Sequence, residues 1–307
     1  MKIVLTGMTG FIGQNLMPQL RALGPDYDFL VLNNHVEKAL QMFPAELYPN
    51  FRHVRASDLS EVVSFNPEVV LHLAALVSSA NETEIIRPML SANIEFGVLL
   101  LDTLRHCDNF KLFVNTGSFA EFRSGMETMD NAYLYSATKT AFRSFLAYYS
   151  NLGKGFKYIT TVPYSVYGGQ MTVKRIFDYL AECTISEQPV DMTAGEQVLD
   201  FVHVDDVATF YTFVITHMDE FLRIRDNGRN YYLGTGIGTS IRQVAKMMEI
   251  ITGKQCNVNW GGRPYRERDV MHAVAPVDLN QCGWKATIKL EDGVKRFLQV
   301  WDKTDNS

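Results

Sequence analysis

Tyr135 and Lys139 are four residues apart in Tyr135-Ser136-Ala137-Thr138-Lys139. On a helix, that spacing puts a phenol and an ammonium on one face. A free phenol titrates near about 10, and a nearby cation favours phenolate and brings the group toward working pH. Such a pair can move a proton to or from a substrate oxygen. Upstream, Lys111-Leu112-Phe113-Val114-Asn115 reads as a strand ending in Thr116-Gly117-Ser118. A hydroxyl there can hydrogen-bond the same oxygen while Tyr135 handles the proton.

A second constellation opens the chain. Lys2 to Leu5 is a short apolar run, read as a buried strand, and Gly7, Gly10 and Gly13 follow it at intervals of three. Gly7 allows the tight turn, Gly10 lets backbone approach a pyrophosphate, and Gly13 lets the next helix sit close on the sheet. Phe11, Ile12, Leu16, Leu20 and Leu23 then form a helical stripe. The start of that helix offers free N–H groups and a positive dipole end to an anion. A dinucleotide is the expected ligand, its nicotinamide beside Tyr135. Phe29-Leu30-Val31-Leu32 is the expected second strand, and Asn33-Asn34 stands where a carboxylate would select the unphosphorylated ribose. His35 and Lys38 are the nearby cationic groups. NAD and NADP both remain open, with a slight lean to NADP.

These motifs need a scaffold. Strand patterns at 2–6, 28–32, 52–55, 69–73, 111–115 and 157–162 alternate with helices, clearest across 84–106 and 133–151. That alternation predicts an α/β fold: a Rossmann-like, doubly wound parallel sheet. After Pro163 the pattern loosens. The expected division is a dinucleotide-binding domain at 1–163 plus 199–237, a smaller lid-like substrate domain at 164–198 plus 238–301, and a tail at 302–307. With 29 basic and 34 acidic residues the net charge is −5 and no basic block exists, which argues against nucleic acid or anionic membrane as partners. No apolar run reaches the ~18 residues of a membrane span. The opening strand pattern is no signal peptide. Cys107, Cys183, Cys256 and Cys282 are scattered without metal or disulfide spacing, as expected for a reduced, cytoplasmic protein. His203 beside Asp205 and Asp206 reads as a hydrogen-bonded corner rather than a metal site.

With these motifs in place, the chain resembles the extended short-chain dehydrogenase/reductases that act on nucleotide sugars as epimerases, dehydratases or reductases. Ala56-Ser57-Asp58-Leu59, His72-Leu73-Ala74-Ala75, Ser91-Ala92-Asn93-Ile94 and Pro163-Tyr164-Ser165-Val166-Tyr167-Gly168 are similar to family segments. So are Asp200 to Asp206, Gly234-Thr235-Gly236, and Arg266-Glu267-Arg268-Asp269 ahead of Gly283-Trp284. The resemblance implies Thr116, Tyr135 and Lys139 as the catalytic set, with Lys139 on the nicotinamide ribose. It implies a cofactor site of Gly7, Thr9, Gly10, Phe11, Ile12, Asn33, Asn34, Asp58, Leu59, Leu73, Ala74, Ala75, Asn93, Tyr135, Lys139 and Pro163. The implied substrate, a CDP- or UDP-linked nucleotide-diphosphate sugar, would meet Ser118, Ser165, Lys174, Arg175, Arg266 and Asp269.

Departures from the family pattern narrow the reaction. Dehydratases carry Asp-Glu after the hydroxyl residue, whereas this chain has Gly117-Ser118. Asn115-Thr116-Gly117-Ser118 with Leu134 before Tyr135 resembles the subgroup that includes CDP-sugar 4-keto reductases. Epimerases typically have Asn at Ser165 and Arg at Leu199, so Arg266 is the expected pyrophosphate ligand, with Lys174 or Arg175 as helpers. The reading is reduction of a 4-keto nucleotide sugar, with 4-epimerisation as runner-up. A non-catalytic dinucleotide sensor is a third reading, which the intact Thr116, Tyr135 and Lys139 set opposes. The family also implies a homodimer through helices 84–106 and 133–151.

Overall fold

The computed structural model describes residues 1–305 except 81, 127 and 170–173, with backbone only for 302–305. Six strands alternate with helices in the first half: β1 (Lys2–Thr6), β2 (Asp28–Asn33), β3 (Phe51–Arg55), β4 (Val69–His72), β5 (Leu112–Thr116) and β6 (Lys157–Pro163). With the strand Arg229–Leu233 they form one parallel seven-stranded sheet, ordered Arg229–Leu233, β6, β5, β4, β1, β2, β3. The central strands β1, β2, β4 and β5 are mostly apolar because helices cover both faces. The strand order reverses between β1 and β4, and open α/β sheets bind ligands at such a switch, beyond the strand C-termini.

Two neighbouring helical segments matter for the site. Thr83–Leu90 and Phe96–Leu104 are joined by a π-helical turn, Ser91–Glu95, which carries the buried Asn93. The helix Leu134–Ser150 packs beside them and presents Tyr135 and Lys139. No helix among the described residues is long and apolar enough to cross a membrane.

A second apolar cluster gathers around Tyr167, Phe177, Phe201, Met248 and Phe297. It is built from the helices Ile176–Cys183, Ile241–Thr252 and Leu290–Asp305 and from short strands at Ser165–Tyr167 and Val198–His203. The expected tail is corrected in part. The last helix runs on to Asp305, into the segment read as a tail, while 306–307 lie outside the described residues. Asp206 receives the N–H groups of Thr287 and Ile288 and the Thr287 hydroxyl, and His203 Nδ1 accepts the Asp205 N–H. These groups form a structural corner.

Candidate active site

β1 delivers Gly7, at φ +77°, into the turn that opens helix α1 (Phe11–Arg21). A Cβ at Gly7 would lie 2.5 Å from the Ala74 nitrogen, and one at Gly13 would lie 2.3 Å from the Gly7 oxygen. Both glycines are therefore required by backbone packing. Gly10, by contrast, is exposed, and its hypothetical Cβ meets only the Gly7 oxygen at 3.1 Å. As N-cap it provides no side-chain cap, so the first N–H groups of α1 remain for an anion. Thr6 fixes the turn from below: its Oγ1 lies 3.0 Å from His72 Nδ1 and accepts the Ala74 N–H at 3.1 Å. Burial, then the Lys139 charge, holds His72 down at about 3, so it is neutral.

Two cavities meet at this turn. The larger, about 850 Å³, is lined by Gly7, Thr9, Gly10, Asn33, Asn34, Leu59, Leu73, Ala74 and Ala75, and also by His35 and Lys38. The smaller, about 230 Å³, brings together Phe11, Ile12, Thr116, Ser118, Tyr135, Lys139, Pro163 and Arg175. The structure does not bring six expected residues to either lining. Asp58 is exposed and accepts the Ser60 hydroxyl. Asn93 is turned inward, accepting from the Leu76 N–H and donating to the Leu76 carbonyl and Thr138 Oγ1. Ser165 starts a short strand beside Phe201. Lys174 pairs with Glu182 on the surface. Asp269 accepts from the Tyr133 hydroxyl at 2.7 Å, and the Arg266 side chain is 62% exposed, 4.0 Å from Asp269. The Arg266 loop thus braces Tyr133.

Arg175 takes the central position instead. Its guanidinium lies 4.4 Å from the centre of the Phe11 ring, over the start of α1, and the residue is half-buried. The cation–π contact joins the second apolar cluster's first helix to the glycine turn.

Tyr135 and Lys139 face the smaller cavity, with Lys139 Nζ 5.8 Å from the Tyr135 ring centre. Lys139 is buried and makes no hydrogen bond or ion pair among the described residues. A buried ammonium without a partner suits a ligand's hydroxyls. Burial lowers Lys139 to about 8, against the opposing pull of Glu121 and with the help of Arg143. Burial, then Glu121 and Tyr211, push the Tyr135 phenol up, and Arg175 pulls it down; the expected lowering draws on a nicotinamide cation as well as the ammonium. Desolvation outweighs the Arg175 guanidinium.

Two features behind the pocket were missed from sequence. Glu121 is fully buried and paired with Arg143, at 2.7 Å and 3.0 Å. Its carboxylate also accepts the Ser118 N–H and the Thr140 hydroxyl, and Arg143 reaches Asn230. Any Cβ at Gly117 would fall 2.5 Å from Glu121 Oε1. This pair thus excludes a side chain at the position where dehydratases carry their first acid. The second feature is Tyr211, whose hydroxyl lies 2.9 Å from Thr116 Oγ1. An apolar helix around Phe210-Tyr211 gave no signal beyond core packing.

Fold and site together define a short-chain dehydrogenase/reductase-type enzyme with a dinucleotide cleft. The model of the NAD dependent epimerase/dehydratase family matches residues 3–233, and the chain belongs to that family. It is 26% identical over 277 residues to a CDP-abequose synthase of Yersinia pseudotuberculosis, covering 88% of this chain and 91% of that protein. A putative UDP-glucose 4-epimerase of Methanocaldococcus jannaschii is 25% identical, with 99% of each covered. Among solved structures, the Bacillus cereus UDP-glucuronic acid 4-epimerase with UDP-glucuronic acid and NAD superposes with a TM-score of 0.83 at 21% identity. That likeness covers 99% of this chain and 100% of the other, and it supports the fold.

Proposed function

We propose that this enzyme transfers hydride at C4 of a nucleotide-diphosphate sugar, in the direction of 4-keto reduction. The observation that carries the reading is the convergence of Thr116, Tyr135 and Lys139 on one small cavity opening from the glycine turn. The residues present fit a dinucleotide: the Gly10 cradle for its pyrophosphate, and the unpartnered Lys139 for its nicotinamide ribose. Bound there, the nicotinamide supplies or accepts the hydride. Tyr135 gives its proton to the C4 oxygen, Thr116 donates a hydrogen bond to that oxygen, and Lys139 holds charge beside the phenol. Arg175 takes the substrate's phosphate, in place of Arg266. Gly117 backed by Glu121 leaves no acid for dehydration.

CDP-abequose synthases among the relatives favour a CDP-linked 4-keto-3,6-dideoxyhexose, the C4 ketone of the sugar in their name. Relatives named as 4-epimerases, matched over the full chain, favour the second reading, epimerisation with the same residues. Assays with CDP-4-keto-3,6-dideoxyglucose plus NADH, and with UDP-glucose plus NAD, separate them. A reductase consumes reduced cofactor stoichiometrically, while an epimerase retains it. Tyr135→Phe should lower turnover roughly 10²–10⁴-fold with dinucleotide binding kept. A rate within about threefold of the unsubstituted protein would remove Tyr135 from the mechanism.

For the cofactor we propose NAD over NADP, against the lean from sequence. The Asn33 amide nitrogen donates to the Val31 carbonyl at 2.9 Å and lies 3.2 Å from His53 Nδ1. A carbonyl can only accept, so the amide group faces inward and the Asn33 oxygen is left for the cavity. That oxygen can accept a ribose hydroxyl, as a carboxylate does, and offers nothing to a phosphate. Calorimetric titration should show NAD tighter by at least about tenfold, about 1.4 kcal/mol. Equal affinities would overturn the assignment.

We also propose a homodimer through the helices Thr83–Leu90, Phe96–Leu104 and Leu134–Ser150. Ile86, Leu90, Leu99, Phe145 and Tyr148 are all exposed apolar or aromatic groups on these helices.

A further inference from the structure

Behind Thr116 stands a short chain of hydroxyls. Tyr211, on the helix Val204–Thr216, is fully buried, and its hydroxyl lies 2.9 Å from both Thr116 Oγ1 and Thr161 Oγ1. Thr116 and Thr161 are register partners on β5 and β6. Thr161 Oγ1 in turn reaches the Asn115 carbonyl at 3.2 Å. One end of the chain is a carbonyl that only accepts, and the other is the cavity. Each hydroxyl has one proton to give, so the chain has two consistent polarities. Pointing inward, Thr116 donates to Tyr211, Tyr211 to Thr161, and Thr161 to Asn115, leaving the Thr116 oxygen as an acceptor facing the cavity. Pointing outward, Thr161 donates to Tyr211 and Tyr211 to Thr116, leaving the Thr116 proton for the cavity.

We propose that Tyr211 is a positioning residue that sets the direction of the Thr116 hydroxyl, so that one threonine can donate to a C4 carbonyl and accept from a C4 alcohol. The inference rests on the proposed C4 reading. Hydroxyl protons rotate and none changes owner. A donor behind Thr116 also polarises its O–H, since hydrogen bonds in a buried chain strengthen one another. Burial holds the Tyr211 phenol up at about 12, so it works as a hydroxyl and not as a phenolate. Lys139, Glu121 and Arg175 supply the charge near the reacting oxygen, and Tyr211 supplies only direction.

The test is a double-mutant cycle of Tyr211→Phe and Thr116→Val, measured with CDP-4-keto-3,6-dideoxyglucose and NADH and with UDP-glucose and NAD. Tyr211→Phe keeps the ring in its packing. It should lower kcat roughly tenfold to a hundredfold, below the 10²–10³ of losing an oxyanion donor outright. KM and NAD affinity should stay within about threefold. In the Thr116→Val background the same change should cost nothing further, whereas a purely structural role would cost the same in both backgrounds. Thr161→Val, which cuts the chain at its far end, should give a smaller loss that also vanishes with Thr116→Val, and it decides the matter if Tyr211→Phe does not fold. A normal kcat in Tyr211→Phe, or additive losses, would overturn the relay while leaving the C4 reading intact. Normal turnover in Thr116→Val, or none of either substrate by the unsubstituted protein, would sink that reading and the relay with it.

Discussion

Lys139 carries an energetic cost that pH can expose. Its folded-state value of about 8 lies below the ordinary 10.5, so between the two the folded chain has released a proton that the unfolded chain keeps. More protons on the unfolded state means stability rises with pH across that window. The cost of the buried ammonium is therefore fully present below about 8 and is relieved as pH approaches 10.5. Urea midpoints of the unsubstituted protein and of Lys139→Met, compared between about pH 7.5 and 10, should converge or cross in this sense; parallel curves would place the ammonium in water. Arg175 is the other single residue with a sharp consequence. Arg175→Ala should weaken a CDP- or UDP-sugar by about 1.5–3 kcal/mol, the scale of a charge-assisted contact, with NAD weakened less. Arg266→Ala should leave both affinities unchanged, because its side chain is exposed beside Asp269, outside the cleft lining. A sugar-nucleotide loss in Arg266→Ala would return the phosphate to that loop.

At the level of elements, Glu121 and Arg143 tie the turn after β5 to the helix that carries Tyr135 and Lys139. The side chains are 0% and 12% exposed, so the pair is effectively interior. Removing one member of a buried pair strands the other, at about 3–5 kcal/mol. Glu121→Gln should fall near the low end of that range, since an amide keeps some of the hydrogen bonds. Denaturant unfolding checks it; a change under about 1 kcal/mol would mean water reaches Arg143. Nothing in the sequence announced this pair. The partners are 22 residues apart, and Tyr211 is 95 residues from Thr116, so both contacts exist only through the packing of separate elements. The Tyr135 and Lys139 pair was legible because one helical turn creates it. Strands β1, β2, β4 and β5 were legible for a similar reason: each is a short, mostly apolar run buried along nearly its whole length. Beyond Pro163 the strands shrink to two or three residues at Ser165–Tyr167, Gly238–Ser240 and His272–Ala273, too short to show a period. Arg229–Leu233 is an edge strand with polar residues at its start, and it escaped notice even though it completes the main sheet.

The whole molecule leaves one face unexplained by its own packing. Phe145 and Tyr148 lie three apart on the helix Leu134–Ser150, so they share a side, and Tyr148 is 61% exposed. Leu99, at 53%, and Ile86 stand on the adjoining helices. Single exposed apolar groups are ordinary, and several on neighbouring helices are what the proposed dimer would cover. A two-fold axis through this face would bury each group against its own copy, forming a four-helix layer from two helical segments per protomer. Introducing Phe145→Glu with Tyr148→Glu would then place four like charges across the axis, where repulsion and desolvation oppose association together. Sedimentation at micromolar concentration should show a dimer for the unsubstituted chain and a monomer for the double variant. Both residues lie outside the lining of the two cavities, so NAD affinity should be retained in the variant. A monomer before substitution would overturn the interface. A dimer that survives both charges would place the contact on another face.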